Sequence, residues 1–357
     1  MTAGAAEVTG ADRVEPENFK VLELARRLYK AGRLLTRSRR LARALVPRLG
    51  VPRLTRDYDL FFPVFNNAFE LFALLAVPDW RQRCRVAACF ISEMWANDVP
   101  EYLLEQLAGF DHLFLGFRHL TDEAARIVGR PCTYLPLAVD VLRFAPWPNP
   151  PPRSIDVCNI GRRSPVTHAA LLGLARDRRI FYYYDTVRAS GERGRQMTFR
   201  VGNASEHRLL LASLLQRSRY FVANLSRANE RDVIEGKEEI SSRFYEGVAA
   251  GAVLLGEPPV SDEFSRQFDW PDAVIRLPFD SADVAAILQA IDADPRRIER
   301  IRRDNVHQAA LRHDWVHRLR SIFETLRIRP TEAMLAREER LRSLAATAQL
   351  AVRRAGA

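Results

Sequence analysis

Short apolar runs alternate with stretches of helical periodicity along most of this chain, and a proline-rich break divides them into two series. A parallel sheet flanked by helices has this pattern, because its strands are buried on both faces and each crossover needs a helix. The break, at residues 144–153, contains five prolines, which exclude a helix or a central strand and stiffen the chain. The sequence therefore predicts two α/β domains joined by a linker.

The apolar runs predict nine strands, at residues 60–65, 85–91, 112–117, 133–137, 155–160, 180–184, 220–224, 252–255 and 274–277. The helices predicted between them cover residues 68–77, 100–107, 122–128, 165–175, 206–216, 242–250, 282–291 and most of 295–327. The chain then divides into a disordered N-terminus (1–18), a basic helical segment (19–50), a first domain (51–143), the linker (144–153), a second domain (154–328) and a C-terminal helix (329–357).

Most of the net charge of +10 lies in one segment, since residues 21–50 carry nine basic side chains and one acidic one. The rest of the chain is nearly neutral, which argues against a nucleic-acid-binding core. Leu24, Leu28, Ala31 and Leu35 recur at helical spacing among these basic residues. The segment is either an amphipathic helix on an anionic membrane surface or a solvated helix packed on the first domain.

Cysteine usage and hydropathy restrict the compartment. The four cysteines are far apart, with no CxxC pair, so neither a disulfide framework nor a structural metal is indicated, and a reducing, cytoplasmic setting fits. The N-terminus has no export signal. The most apolar stretch, residues 60–77, contains Pro63, Asn66, Asn67 and Glu70, which are unfavourable in a bilayer.

The first candidate site is the turn that follows the strand at residues 155–160. Gly161 lets the backbone approach a ligand, and Arg162 and Arg163 can form paired hydrogen bonds with phosphate oxygens. Ser164 and Pro165 are typical of the N-cap and first position of a helix, whose free N–H groups attract anions. A plain turn with solvated arginines explains the pattern equally well.

The second candidate site is a short helix that Ser241 or Ser242 caps and that ends at Gly251, before a buried strand. Glu246 on this helix can accept hydrogen bonds from both hydroxyls of a nucleotide ribose. The alternative is an exposed ion pair between Arg243 and Glu246, and these residues by themselves favour it.

Residues 242–254, Ser-Arg-Phe-Tyr-Glu-Gly-Val-Ala-Ala-Gly-Ala-Val-Leu, resemble the donor-site signature of group-1, family-4-like glycosyltransferases. Residues 135–146 are similar to the segment by which those enzymes leave their first domain, and residues 160–163 to the turn that opens their second. The resemblance covers about residues 58–326. It implies the GT-B architecture: two Rossmann-like, doubly wound parallel-sheet domains facing a cleft.

The resemblance also implies roles for individual residues. Glu246 would bind the ribose, Gly251 would form a close-packed turn, and Arg162 with Arg163 would contact the diphosphate. The full set of donor nucleotide-binding residues expected in this way is Gly161, Arg162, Arg163, Ser242, Arg243, Glu246 and Gly251. Positive groups at the diphosphate would stabilise the leaving group as its charge develops.

The sugar-facing carboxylate is less defined. Seven residues separate Glu238 from Glu246, which is the family's spacing for a paired glutamate, but the glycine that usually follows the first glutamate is replaced. Glu239 is an equal candidate by composition. Retention and inversion at the anomeric carbon both stay open.

The first domain is expected to hold the acceptor and the general base. Its predicted strand ends present Asn66, Asn67, Glu93, Trp95 and His112. Glu93 would deprotonate an acceptor hydroxyl, and Trp95 would stack on a sugar face. The alternative makes Trp95 a core residue, Glu93 a member of a surface ion pair and His112 an edge residue.

The function that follows is transfer of a sugar from a UDP- or GDP-linked donor to a carbohydrate, lipid-linked or protein acceptor, without a cofactor or divalent metal. Such enzymes serve cell-surface polysaccharide or glycoconjugate biosynthesis. Two alternatives stay open. One is a nucleotide-sugar epimerase on the same fold. The other is a non-catalytic module that binds the anionic inner face of a membrane through residues 21–50.

Overall fold

The structure, a computed structural model, describes residues 2–14, 19–45, 54, 56–67, 70–71, 73–74, 77, 79–93, 105–185, 203–234 and 236–350. Its contacts divide the chain into two units. The first unit comprises Met1–Pro136 and Arg318–Met334, and the second comprises Leu137–His317 and Leu335–Ala357. The division thus falls before the expected linker, and residues 144–153 belong to the second unit.

Three helices precede the first sheet: α1 (Thr2–Thr9), α2 (Phe19–Thr36) and α3 (Arg39–Ala44). The disorder predicted for residues 1–18 is wrong for residues 2–14, whereas residues 15–18 lie outside the described part of the chain. Val8 is buried, and the Asp12 carboxylate accepts hydrogen bonds from Arg56 and from the Tyr58 hydroxyl. These contacts with Arg56 and Tyr58 fix the position of a segment whose polar composition is typical of a disordered terminus.

The predicted helical spacing of the basic segment is confirmed, with a break where Arg37 adopts a left-handed φ of 52°. Gly32 lets α2 and α3 approach closely, because a Cβ there would lie 2.9 Å from the Ala42 Cα. Tyr29 packs into the core of the first unit, whereas Leu24 and Leu35 are 51% and 83% exposed. α2 therefore packs on the core of the first unit through Tyr29, whereas Leu24 and Leu35 lie on its exposed side.

The sheet of the first unit is parallel throughout its described strands, which are β1 (Tyr58–Phe61), β2 (Val64–Asn67), β3 (Cys84–Glu93), β4 (His112–Leu115) and β5 (Cys132–Tyr134). β1 and β2 pair with successive halves of β3, as one strand interrupted at Pro63. The order then runs β3, β4, β5, with helix α4 (Thr121–Val128) in the last crossover.

Two helices predicted in the first domain do not form as expected. Among the described residues of 68–77, a short 3-10 turn replaces the predicted α-helix, and the Glu70 carboxylate folds back to accept the backbone N–H of Asn66 at 2.8 Å. Residues 100–104 lie outside the described part of the chain, and Glu105–Gly109 is a 3-10 helix.

The second unit begins with α5 (Val141–Phe144) and contains a parallel sheet of five strands: β6 (Ile155–Asn159), β7 (Tyr182–Tyr184), β8 (Ser218–Val222), β9 (Val253–Gly256) and β10 (Ile275–Arg276). Its helices are α6 (Pro165–Arg176), α7 (Ala204–Gln216), α8 (Arg231–Ile234), α9 (Ser242–Ala249), α10 (Asp262–Gln267), α11 (Val284–Asp292) and α12 (Pro295–Arg312). Most of the next helix, α13 (Trp315–Thr325), belongs to the first unit, and α14 (Glu332–Leu350) begins there and continues in the second.

The strand order of this sheet is β10-β9-β8-β6-β7. The chain leaves β6 for β7 on one side and returns to β8 on the other, so the order reverses between β6 and β8. This is the doubly wound arrangement, in which a crevice opens beyond the carboxyl ends of the two central strands. The two parallel sheets confirm the predicted pair of Rossmann-like α/β domains.

Two polar side chains attach the proline-rich segment to the second unit. Gln216 donates hydrogen bonds to the carbonyl groups of residues 143–145. The Arg153 guanidinium donates to the carbonyls of Leu215 and Ser218 at 3.0 and 2.7 Å, and to those of Ala250 and Gly251 at 2.9 and 3.0 Å. Arg153 thus donates to backbone carbonyls at the carboxyl ends of α7 and α9 and at the start of β8.

No helix in the described part of the chain is long and apolar enough to cross a membrane.

We expect Arg153→Met to destabilise the protein by about 2–4 kcal/mol, because it leaves four carbonyl groups without their donor. Urea unfolding monitored by circular dichroism measures the change. Arg217→Met is the matched control, since the Arg217 side chain is exposed and, among the described residues, donates only to Ser213, one helical turn away. We expect the control to stay within about 0.5 kcal/mol of the wild type. Equal losses in both variants would contradict the capping role.

Candidate functional site

The turn after β6 lies at the topological switch point. Gly161 has a φ of 80°, a left-handed conformation that glycine adopts without strain. α6 begins directly afterwards, with Pro165 as its first residue and Ser164 as its N-cap, whose Oγ accepts the Thr167 N–H at 3.1 Å. The predicted turn and cap are therefore confirmed as structure. Ser164 Oγ also donates to Asp280 at 2.5 Å, so the turn is tied to the residues that follow β10.

Arg162 and Arg163 both lie at this edge, with side chains 18% and 20% exposed. Arg162 donates to the Asn229 Oδ1 at 3.2 Å and pairs with Glu230. Arg163 pairs with Asp185 and lies over the Tyr184 ring, 5.6 Å from its centroid. Each guanidinium is thus held by a carboxylate from the loop after a neighbouring strand.

Arg243 joins α9 to this turn. Its Nε donates to the Ile160 carbonyl at 2.9 Å, and a Cβ built on Gly161 would collide with its Nη2 atom. Within the described ranges no hydrogen-bond acceptor contacts either Nη atom. Burial lowers the pKa of Arg243, Arg162 and Arg163 lower it further, and Glu246 opposes the shift. A partly buried cation therefore lies against the turn with both Nη groups available.

Glu246 is a buried carboxylate on the same helix, with a side chain 7% exposed. Its Oε1 accepts from Arg208 on α7, whereas Oε2 receives no donor among the described residues. The ion pair considered between Arg243 and Glu246 does not form, because Arg243 turns towards Ile160 and Arg208 reaches Glu246 from α7.

The start of α9 differs from the predicted cap. Ser241 occupies the N-cap position, but its hydroxyl makes no capping bond and donates to the Asn224 carbonyl at 2.6 Å instead. Ser242 is the first helical residue and is partly buried. The serine thus fixes α9 to the loop after β8.

Gly251 lies at the opposite, amino-terminal edge of the sheet, apart from the turn at Gly161. Its φ is 62°, its N–H bonds to the Val248 carbonyl at 3.0 Å, and the Ala252 N–H bonds to the Gly247 carbonyl at 3.1 Å. This is a Schellman end for α9. A Cβ would lie 3.1 Å from Val306, so the expected close-packed turn is present and its role is packing.

Glu238 and Glu239 lie in the segment before α9. Glu238 Oε2 accepts the Val260 N–H at 2.7 Å, which ties its segment to the loop after β9. Glu239 is buried, and its carbonyl accepts the Ser226 N–H at 2.9 Å. Glu238 remains the more accessible of the two carboxylates.

One part of the chain matches a known protein family. Residues 200–324 match the model of a family described as glycosyl transferase-like. This segment is therefore similar to that family. It supplies Arg208, Glu238, Arg243 and Glu246, and the match confirms the glycosyltransferase resemblance for this part of the chain. The turn at Gly161 lies outside the matched residues.

Two solved structures align with most of the chain. Anabaena HepE, solved in complex with UDP and glucose, is 12% identical, and the alignment covers 75% of this chain and 78% of that one, with a TM-score of 0.46. A UDP-forming α,α-trehalose-phosphate synthase from Burkholderia xenovorans is 10% identical, with coverage of 86% and 78% and a TM-score of 0.48. No curated protein matches the chain.

The candidates in the first unit have separate contacts. Glu93 is exposed at the end of β3, where it pairs in register with Asn67. Asn66 donates to the Glu70 carboxylate, and the Nε2 of His112 lies 2.8 Å from the Thr133 hydroxyl. Burial lowers the pKa of His112. Trp95 lies outside the described residues.

The sequence did not indicate three polar residues of the site. Arg208, in the glycosyl transferase-like segment, contacts Glu246, Glu230 contacts Arg162, and Asp185 contacts Arg163. Asp185 had a usable signal, since it follows a strand and such positions line the crevice. Arg208 had none, because a pairing across 38 residues leaves no local pattern. In the described ranges no group of three or more potential metal ligands occurs.

We expect Gly161→Ala to destabilise the protein by about 1–3 kcal/mol, because it combines a left-handed φ with a collision against Arg243. Chemical denaturation measures the loss. Gly173→Ala is the matched control within the following helix, where a Cβ meets nothing within 4 Å. The control should stabilise the protein by about 0.5–1 kcal/mol through helix propensity. A neutral Gly161→Ala would show that the turn is not constrained as described.

Proposed function

We propose that this protein is a glycosyltransferase that binds a nucleoside-diphosphate sugar at the carboxyl edge of the sheet in its second unit. One observation supports this proposal above the others. Arg243, from the glycosyl transferase-like segment, places its guanidinium against the Gly161 turn at the switch point of a doubly wound sheet. Family, fold and charge therefore converge on one place.

The chemistry of that place suits a diphosphate. The Gly161 turn leads into the positive end of α6, and Arg162, Arg163 and Arg243 add three cations within partly buried surroundings. Positive groups that are fixed before reaction stabilise the charge that develops on a departing nucleoside diphosphate. We propose that these arginines supply that stabilisation without a divalent metal.

The ribose is proposed to bind Glu246. Arg208 engages one carboxylate oxygen and so fixes the side chain, while the other oxygen can accept a ribose hydroxyl. Ser242, at the start of α9, adds a second polar group on this helix. A carboxylate that is oriented by a partner and buried from water binds a hydroxyl more strongly than a solvated one.

Glu238 and Glu93 keep their roles as proposals for the transfer step. Glu238, held by the Val260 N–H, is proposed to face the donor sugar, and Glu93 to act as the general base towards an acceptor hydroxyl. The acceptor class is a carbohydrate, a lipid-linked glycan or a protein. A nucleotide-sugar epimerase would use the same donor site without an acceptor, so product analysis distinguishes the two reactions.

We expect UDP or GDP to raise the melting temperature, since a ligand at a hundred times its Kd adds about 2.7 kcal/mol of stability. Arg243→Met and Glu246→Gln should each weaken nucleotide binding about tenfold or more, because each removes a charge-assisted hydrogen bond. Glu339→Gln is the control, because Glu339 is exposed on α14 and, in the described part of the chain, pairs only with Arg342. Wild-type affinity in both site variants would contradict the donor site.

The activity itself is tested by incubating the protein with a panel of UDP- and GDP-sugars and measuring nucleotide release. One productive donor identifies the base and the sugar together. We expect the release to persist in EDTA, and loss of release in EDTA would overturn the metal-independent proposal. An isomerised nucleotide sugar without nucleotide release would indicate the epimerase instead.

A second proposal concerns α2, whose exposed face fits an anionic membrane surface. Leu24, Leu35 and Ala31 lie outward along one side, and Arg27 and Lys30 are exposed on the same helix. Exposed leucines are favourable in the interfacial region of a bilayer, and each basic residue near anionic lipid adds about 1 kcal/mol. This arrangement would bring the protein to a lipid-linked acceptor.

Leu24→Gln/Leu35→Gln should weaken cosedimentation with phosphatidylserine vesicles about tenfold or more, because each leucine loses on the order of 1–2 kcal/mol of apolar burial. The matched control is Leu311→Gln/Leu335→Gln, which removes two exposed leucines from the second unit. Vesicles of phosphatidylcholine alone test the charge requirement. Unchanged sedimentation of the α2 variant would exclude membrane contact through this helix.

A further inference from the structure

The carboxylate of Asp185 lies where the proposed diphosphate would bind. Asp185 follows β7 directly, and its Oδ2 accepts the Gly161 N–H at 3.0 Å. Its Oδ1 pairs with the guanidinium of Arg163. An anion bound at this turn would need a backbone N–H beside the start of the helix and an arginine. The Asp185 carboxylate already accepts hydrogen bonds from one donor of each kind.

Electrostatics explain why a carboxylate lies there. Arg162, Arg163 and Arg243 surround one glycine, and without counter-charges the three cations would repel one another. Glu230 compensates Arg162, and Asp185 compensates Arg163. Arg243 has no such partner among the described residues beyond the Ile160 carbonyl, although Glu246 lies close enough to affect it.

We propose that Asp185 is an internal competitor of the donor diphosphate: its carboxylate holds Arg163 and the Gly161 N–H, and an incoming diphosphate must displace it. This inference rests on the proposed donor site and adds a role to it. Asp185 would keep Arg163 oriented and neutralised in the unliganded protein. It would also make the affinity for the diphosphate lower than that of a site without this carboxylate, and so favour release of the nucleoside diphosphate after transfer.

Displacement lowers the apparent affinity, because only molecules in which the carboxylate has moved away can bind. Removing the charge while keeping the shape should therefore tighten binding. We expect Asp185→Asn to bind inorganic pyrophosphate about three- to tenfold more tightly than the wild type, as a charge-assisted pair no longer has to be broken. Pyrophosphate is the probe because it has the diphosphate chemistry without a base or sugar.

The matched control is Asp156→Asn. Asp156 lies near the other end of β6, where it likewise accepts a backbone N–H, from Phe181 at 2.8 Å, and an arginine, Arg219 at 3.0 Å. Both variants remove one negative charge from the same sheet, so a general increase in positive charge would affect both equally. We expect the control to bind pyrophosphate as the wild type does, by isothermal titration calorimetry.

The outcomes separate this inference from the proposed function. If UDP and pyrophosphate bind the wild type and Asp185→Asn binds them equally or more weakly, the competitor role is wrong and the donor site stands. If neither ligand binds the wild type or Asp185→Asn, both proposals fail. If the melting curve of Asp185→Asn without ligand shows that this variant does not fold, Asp185→Ser, which also removes the charge, is used in its place.

Discussion

Parallel strands place all their carboxyl ends at the same edge of the sheet. Where the strand order reverses, the loops that follow two neighbouring strands run in opposite directions and leave a space between them. In the second unit this happens between β6 and β8, and every polar group of the candidate site reaches that edge from a neighbouring loop or helix. Gly161 is the position where this constraint is tightest, because a side chain there would occupy the space of Arg243.

Arginine is abundant at this edge, and each of its cations needs a counter-charge while no ligand is bound. Glu230 pairs with Arg162, Asp185 with Arg163 and Glu246 with Arg208, whereas among the described residues Arg243 bonds only to the Ile160 carbonyl. A pair between partly buried groups resists rearrangement more than a solvated pair, because desolvation strengthens the attraction. The proposed binding of a diphosphate would therefore exchange one set of ionic contacts for another.

Much of this fold was predictable from the sequence, for a physical reason. Strands buried on both faces are apolar through their centres, so residues 86–91 of β3 and 220–222 of β8 read as apolar runs. The turn at Gly161 was also predictable, since its glycine, cap and proline act locally. Contacts between distant residues were not: Arg208 reaches Glu246 from another helix, and Ser241 bonds to the Asn224 carbonyl rather than to its own helix. The N-terminal helix was missed because its anchor, Asp12, bonds to Arg56 and Tyr58, far along the chain.

The chain passes between the two units three times, after Pro136, after His317 and after Met334. A single cleavage point therefore cannot yield two intact fragments, since at least one piece would always retain residues that belong to the other unit. Recombinant expression of one half would need a graft that carries Arg318–Met334 with the amino-terminal portion, or a designed closure that bypasses it. Circular permutants and split reporters built on this protein face the same topological restriction.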